Sequence, residues 1–105
     1  DVFDVMVQES GVPLKHLRVD GGASANDLLM QFQADILNIV VERPALVETT
    51  AQGAAFMAGL GAGVFKDYRD IAAGWHSDRI FSPRMNSDER EKLYADWRRA
   101  VARVL

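Results

Sequence analysis

Two short apolar runs, Leu17-Arg18-Val19 and Ile39-Val40-Val41, bracket a stretch of helical periodicity, and that order constrains the fold more than any other feature. The first run stops abruptly at Asp20-Gly21-Gly22, as a buried strand feeding a tight turn does. Ser24 reads as the N-cap of a helix over 24–37, whose apolar positions Ala25, Leu28, Leu29, Phe32 and Ile36 form an i, i+3, i+4, i+7 stripe. Strand, helix and strand in that order make a parallel pair joined by a crossover. Parallel strands are covered on both faces and sit in sheets of several strands, so two alone make a poor sheet. The expected architecture is an incomplete α/β domain, helix-rich, with a small parallel sheet remnant whose remaining strands lie outside these residues.

Helices frame this unit. Val2, Phe3 and Met6 sit at helical spacing over residues 1–9, Gly11 follows as a C′ residue, and Pro13 blocks continuation. Glu42-Arg43-Pro44 ends the second strand, and Thr49 or Thr50 caps a helix carrying Ala51, Gly53, Ala54, Ala55, Ala58 and Gly59. So many small residues on one helix predict close backbone approach to a neighbour. A short helical piece fits Tyr68–Ala73, and Ile80-Phe81 extends before Pro83. The last helix starts near Asn86, with Glu89 as capping-box partner, and places Leu93, Trp97, Ala100, Val101 and Val104 on one face.

A chain of 105 residues supports one unit, 1–105, and its apolar and charged fractions of 49% and 26% are those of folding proteins. The net charge of −3 argues against nucleic acid as a partner, which calls for a basic face. With no cysteine there is neither disulfide nor thiolate metal site, and His16 and His76 lack metal-ligand spacing, so no metal ligand is expected. No apolar run approaches the ~18 residues that span a bilayer, so no membrane partner is expected and cytoplasm is the default compartment. Asp1-Val2-Phe3-Asp4 opens the chain inside a helix with neither Met nor a basic leader, which reads as part of something longer.

Chemistry concentrates at Asp20-Gly21-Gly22-Ala23-Ser24-Ala25-Asn26. Glycine turns the backbone sharply and keeps side chains away from a ligand. The first N–H groups of the following helix are unpaired and lie at its positive end, a natural place for phosphate. Ligands of parallel sheets bind beyond the carboxyl ends of the strands, where this turn falls. On geometry alone a double-glycine turn is more often only a turn, and it is neither a dinucleotide fingerprint nor a P-loop. Asp20 is either a catalytic carboxylate or, more simply, the group that orders the glycines.

The residues Val19-Asp20-Gly21-Gly22-Ala23, then Asn26, then Leu29-Met30-Gln31-Phe32-Gln33-Ala34-Asp35-Ile36-Leu37 resemble the adenosine-side motif of the glycerol-kinase branch of the FGGY carbohydrate kinases. The likeness continues through Val41-Glu42-Arg43-Pro44 and Glu48–Leu60, and resumes at Phe81–Met85 and Tyr94–Val101. It implies a ribonuclease H-like, actin-like ATPase C-terminal domain. It further implies ATP with magnesium as cofactor, and adenine nucleotide contacts at Gly22 and Asn26, with Gly21 and Ala23 shaping the same wall. In that family the catalytic aspartate, the glycerol-contacting residues and the phosphate-gripping loop all precede this stretch. No catalytic residue is therefore expected here, the magnesium is expected to be held elsewhere, and the stretch alone is expected to be inactive. The implied activity is phosphorylation of glycerol by ATP. Another FGGY specificity such as xylulose, or a non-catalytic nucleotide-binding or assembly module, are the alternatives. Gln52 stands where glycerol kinases often carry an apolar residue, and 66–78 matches loosely.

Other residues have simpler roles. Trp75 and His76 fit a half-buried loop anchor better than a ligand platform. Trp97 and Tyr94 fit core packing, and Arg98, Arg99 and Arg103 fit a solvated helix face. An edge strand and apolar helix faces without their neighbours predict self-association, so a homo-oligomer is expected.

Overall fold

The computed structural model describes residues 1–104. Helix α1 (Val2–Ser10) is stopped by Gly11, whose φ of 64° lets its N–H fold back onto the Val7 carbonyl. The strands are β1 (His16–Arg18), β2 (Val40–Pro44) and β3 (Ser77–Phe81). The helices that follow α1 are α2 (Asp27–Leu37), α3 (Thr49–Gly61), α4 (Tyr68–Ala73) and α5 (Ser87–Val101), with a 3-10 turn at Gly22–Ala25 before α2. No helix among the described residues is long and apolar enough to cross a membrane.

The parallel pair is present, with Leu17 opposite Val41 in the β1–β2 register. The sheet nevertheless has three strands in the order β1-β2-β3, and β3 runs antiparallel to β2 with Val41 opposite Phe81. The remnant is thus mixed, where a purely parallel one was expected. With β3 in place β2 is central, and the edges are β1 and β3. The extended Ile80-Phe81 is the end of this third strand; its first residues, Ser77, Asp78 and Arg79, are polar and exposed, so pairing with β2 and not alternation defines them.

Among the described residues the buried hydrophobic side chains are Met30 and Ala34 of α2, Val41 of β2 and Phe81 of β3, with Leu17 and Val19 packed against them. This core is thin. The radius of gyration is 17.3 Å, against about 13 Å for a compact chain of this size. Helix α2 shows the same thinness. Its expected inward stripe faces the other way: Leu28 is 80% exposed and Phe32 44%, while Met30 and Ala34 meet the sheet. A helix apolar on both faces is built to sit between two layers; the sheet forms one, and α1 and α5 line an open groove along the other.

The small-residue helix α3 also departs from expectation. It buries no side chain. A Cβ on Gly53 or Gly61 would meet nothing within 4 Å, and only Gly59 is crowded, 2.7 Å from the Phe65 ring. The close approach is therefore a local return of the chain onto α3, by the Phe65 side chain and not by a neighbouring element's backbone. Its N-cap is Glu48 and makes no side-chain cap bond, so neither Thr49 nor Thr50 fills that role. Helix α5 begins as expected, with Asn86 Oδ1 accepting from the Glu89 amide at 2.9 Å.

Candidate functional site

Beyond β1 the Val19 N–H still donates to Glu42 O at 3.0 Å, and the backbone then breaks away at Gly21, whose N–H donates to Val47 O at 2.9 Å. Gly21 has φ 79° and ψ 170°, a region open almost only to glycine. Gly22 does not have positive φ. It is exposed, and a Cβ there would meet nothing within 4 Å. The two neighbouring glycines thus answer different demands: the fold requires Gly21, whereas Gly22 leaves open space above the turn.

Ser24 is not the helix cap. It is buried at 2% exposure inside the 3-10 turn, and its hydroxyl donates to Gly21 O at 2.7 Å. The cap is Asn26, whose Oδ1 accepts from the Leu29 amide at 3.1 Å. Asn26 therefore stands at the mouth of α2, where a helix capped by Ser24 would place it inside. Its carbonyl oxygen is occupied, which leaves the exposed Nδ2 amide as donor. Asp27 in the first turn adds a carboxylate favourable to the helix dipole. Gly21, Gly22, Ala23 and Asn26 lie together along one turn, with the last three exposed.

Asp20 is engaged by the Thr49 hydroxyl at the start of α3. With Gly21 bonded to Val47, this brings the N-terminal end of α3 against the glycine turn. Asp20 orders the turn, in keeping with the simpler of its two readings.

Arg43 of β2 was not singled out from the sequence. Its guanidinium donates to Ser24 O at 3.0 Å, Ala25 O at 3.4 Å, Asp27 Oδ1 at 2.8 Å and Asp78 Oδ2 at 2.9 Å. Asp78 first, then Asp27, raise its pKa above the ordinary arginine value, so it stays charged. Asp27 is shared with Arg79. No local signal marks this network, because its partners lie 16 to 35 residues away.

A second polar anchor lies at the far side of α2. Asp35 Oδ1 accepts from the Arg84 N–H at 2.6 Å, the Met85 N–H at 3.2 Å and Gln31 Nε2 at 3.1 Å. Burial alone would push this carboxyl up, but the Arg84 amide, the Gln31 side chain, the Met85 amide and the Arg84 charge outweigh it and hold it below its ordinary 3.8.

Trp75 is half-buried with the Arg18 guanidinium 3.9 Å over its ring, the anchor expected for this loop, whereas His76, expected beside it, is exposed. Trp97 is not a core residue. It is 54% exposed, and its Nε1 donates to Asp1 Oδ2 at 2.7 Å while the Tyr94 hydroxyl donates to Asp1 Oδ1 at 2.6 Å. Both line an open groove of about 610 Å³ between α1, α2 and α5. Arg98, Arg99 and Arg103 are exposed, and Arg99 pairs with Asp96.

The sequence profile of the FGGY family of carbohydrate kinases, C-terminal domain, matches residues 1–62. The chain belongs to this family. It is 58% identical over all 105 residues to the glycerol kinase of Pseudothermotoga lettingae and 56% identical to glycerol kinase 2 of Thermotoga maritima. It spans 21% of the length of each of these relatives. The crystal structure of Plasmodium falciparum glycerol kinase with ADP superposes on 99% of this chain and 21% of its own, with a TM-score of 0.80 and 32% identity. A xylulose kinase of Lactobacillus acidophilus shares the fold, with a TM-score of 0.64 over 84% of this chain and 19% of its own, at 23% identity. The FGGY fold, that of the actin-like ATPases, is thus the one in which the glycine turn stands.

Proposed function

We propose that the enzyme carrying this stretch transfers the γ-phosphoryl group of MgATP to a hydroxyl of glycerol, yielding glycerol 3-phosphate, and that these residues form the adenosine-side wall of its nucleotide site. The observation that carries the reading is the turn at Gly21, with Gly22 and Ala23 exposed, leading to the free amide of Asn26 at the start of α2, in a chain whose relatives include glycerol kinases at 58% and 56% identity. The ADP in the Plasmodium falciparum structure supports nucleotide as the ligand class.

In this reading the stretch is one portion, 1–105, of the C-terminal nucleotide-binding domain. The open space above Gly22 admits the nucleotide, and Asn26 Nδ2 donates to it. Phosphoryl transfer itself is positioning and charge stabilisation, and these residues hold the substrate without reacting. In this reading the magnesium ion is held by another part of the enzyme. Cytoplasm is the compartment where MgATP and a small polyol meet. The exposed apolar faces of α2 and α5 support burial against further protein, whether the rest of the enzyme or a second copy.

The test is ATP-dependent ADP release by the intact kinase with glycerol, xylulose and gluconate offered in turn. Glycerol is expected to give the highest kcat/KM. Preference for a pentulose would move the enzyme to another FGGY specificity, and no turnover with any would favour the non-catalytic module. The conservative variant Asn26→Ser keeps the helix cap but loses the amide donor. It should raise the ATP KM about tenfold for the lost polar contact and leave the polyol KM within twofold.

A further inference from the structure

We propose that Arg43 is a positioning residue for the nucleotide turn, setting the height of Ser24-Ala25-Asn26 above the sheet without touching the nucleotide. The inference rests on the reading of that turn as the adenosine-side wall. Arg43 sits on the central strand, and its side chain is only 12% exposed. One nitrogen, Nη1, holds the carbonyls of Ser24 and Ala25 and the Asp27 carboxylate, so it grips the residues on both sides of Asn26. The other, Nη2, is held by Asp78 of β3 at 2.9 Å. The guanidinium also lies 5.6 Å over the Phe81 ring, which closes its lower face.

Geometry explains why arginine serves here. A planar fork engages the turn with one arm and the neighbouring strand with the other, and its rigidity fixes the angle between them. A lysine ammonium is a single point on a flexible stem and holds one side at a time. The turn has few other ties to the fold: Gly21 N to Val47 O, Asp20 to Thr49, and the Ser24 hydroxyl, which bonds only within the turn. All of these act at or before Ser24. The Ala25–Asp27 end, which carries the Asn26 amide, is tied to the sheet through Arg43 and through the Arg79–Asp27 pair. Small displacements of a binding group weaken a site out of proportion to their size.

The experiment compares Arg43→Lys, Asp78→Asn and Gly22→Val in the intact kinase, reading the MgADP Kd by titration calorimetry, the ATP and polyol KM values, and Tm. Arg43→Lys is expected to weaken MgADP and raise the ATP KM about tenfold, as loss of charged hydrogen bonds does, with the polyol KM within twofold. Asp78→Asn, which removes the charge that holds one arm of the fork, should act in the same direction more mildly. A lower Tm with unchanged MgADP Kd would make Arg43 purely structural and overturn the proposal, as would equal rises in both KM values. If Arg43→Lys does not fold, Asp78→Asn decides by the same split. Unchanged nucleotide affinity in Gly22→Val would instead remove the nucleotide reading itself, and the Arg43 proposal with it. A loss in Gly22→Val without one in either other variant would sink the Arg43 proposal alone.

Discussion

The turn, α2 and the sheet form one region of the molecule, and α1, α3, α4 and α5 form another. Every buried side chain described, from Ser24 through Met30, Ala34, Asp35, Val41 and Pro44 to Phe81, belongs to the first. The four outer helices bury none, although α3 is made almost wholly of small and apolar residues. Composition therefore does not separate the two; partners do. The inner region satisfies its polar groups within the chain, through Arg43, Asp35 and the Asn26 cap. Among the described residues the outer helices meet the rest only at their rims, as where Tyr94 and Trp97 bond to Asp1, and much of their surface, like Leu28 of α2, stays exposed.

If that division is right, substitutions on the two sides should differ in size. Phe81 fills the thin core opposite Val41, and Phe81→Ala should cost about 3–5 kcal/mol in denaturant unfolding of the chain. Met57→Ala on α3, at 62% exposure, should stay within about 0.5 kcal/mol. Comparable losses would break the comparison.

Asp35 offers a version of the same contrast that pH can switch. Its folded pKa lies below the ordinary 3.8, so its contribution is complete above that value and disappears as pH falls through the depressed one. Asp35→Asn should cost about 1–3 kcal/mol at neutral pH and lose less stability than the parent on acidification below pH ~4. A parallel acid profile for variant and parent would show that the loop at Arg84 and Met85 is held by something else.

Gly21 and Gly22 sharpen the contrast to a single peptide. Gly21→Ala should destabilise by about 1–3 kcal/mol, because φ 79° with ψ 170° excludes a side chain. Gly22→Ala meets neither strain nor contact, so its stability cost should be the smallest of the set, within about 0.5 kcal/mol.

Much of this was legible in the sequence, and the failures have physical causes. The β1–turn–α2–β2 unit announced itself through two apolar runs and a glycine break. Residues Ser24 and Asn26 are equally good caps, and only the 3-10 turn, which carries Ser24 inward, decides between them. Periodicity correctly found that α2 is apolar but chose the wrong face, since Met30 and Ala34 form a second stripe beside the first. The tips of Tyr94 and Trp97 go to Asp1, more than 90 residues away in sequence, and no spacing rule reaches that far. Arg43 stood in the resembling segment Val41-Glu42-Arg43-Pro44, but its task depends on residues from three other elements.

The central claim, that the turn is a nucleotide wall, is tested most directly by calorimetric titration of MgADP into the intact kinase carrying Gly22→Val. The φ of Gly22 is not positive and its surroundings are open, so the fold should accept the branched side chain with Tm little changed. The nucleotide should not, and MgADP affinity is expected to fall at least about tenfold as valine fills the space the ligand needs. An unchanged MgADP Kd in a folded variant would contradict the account.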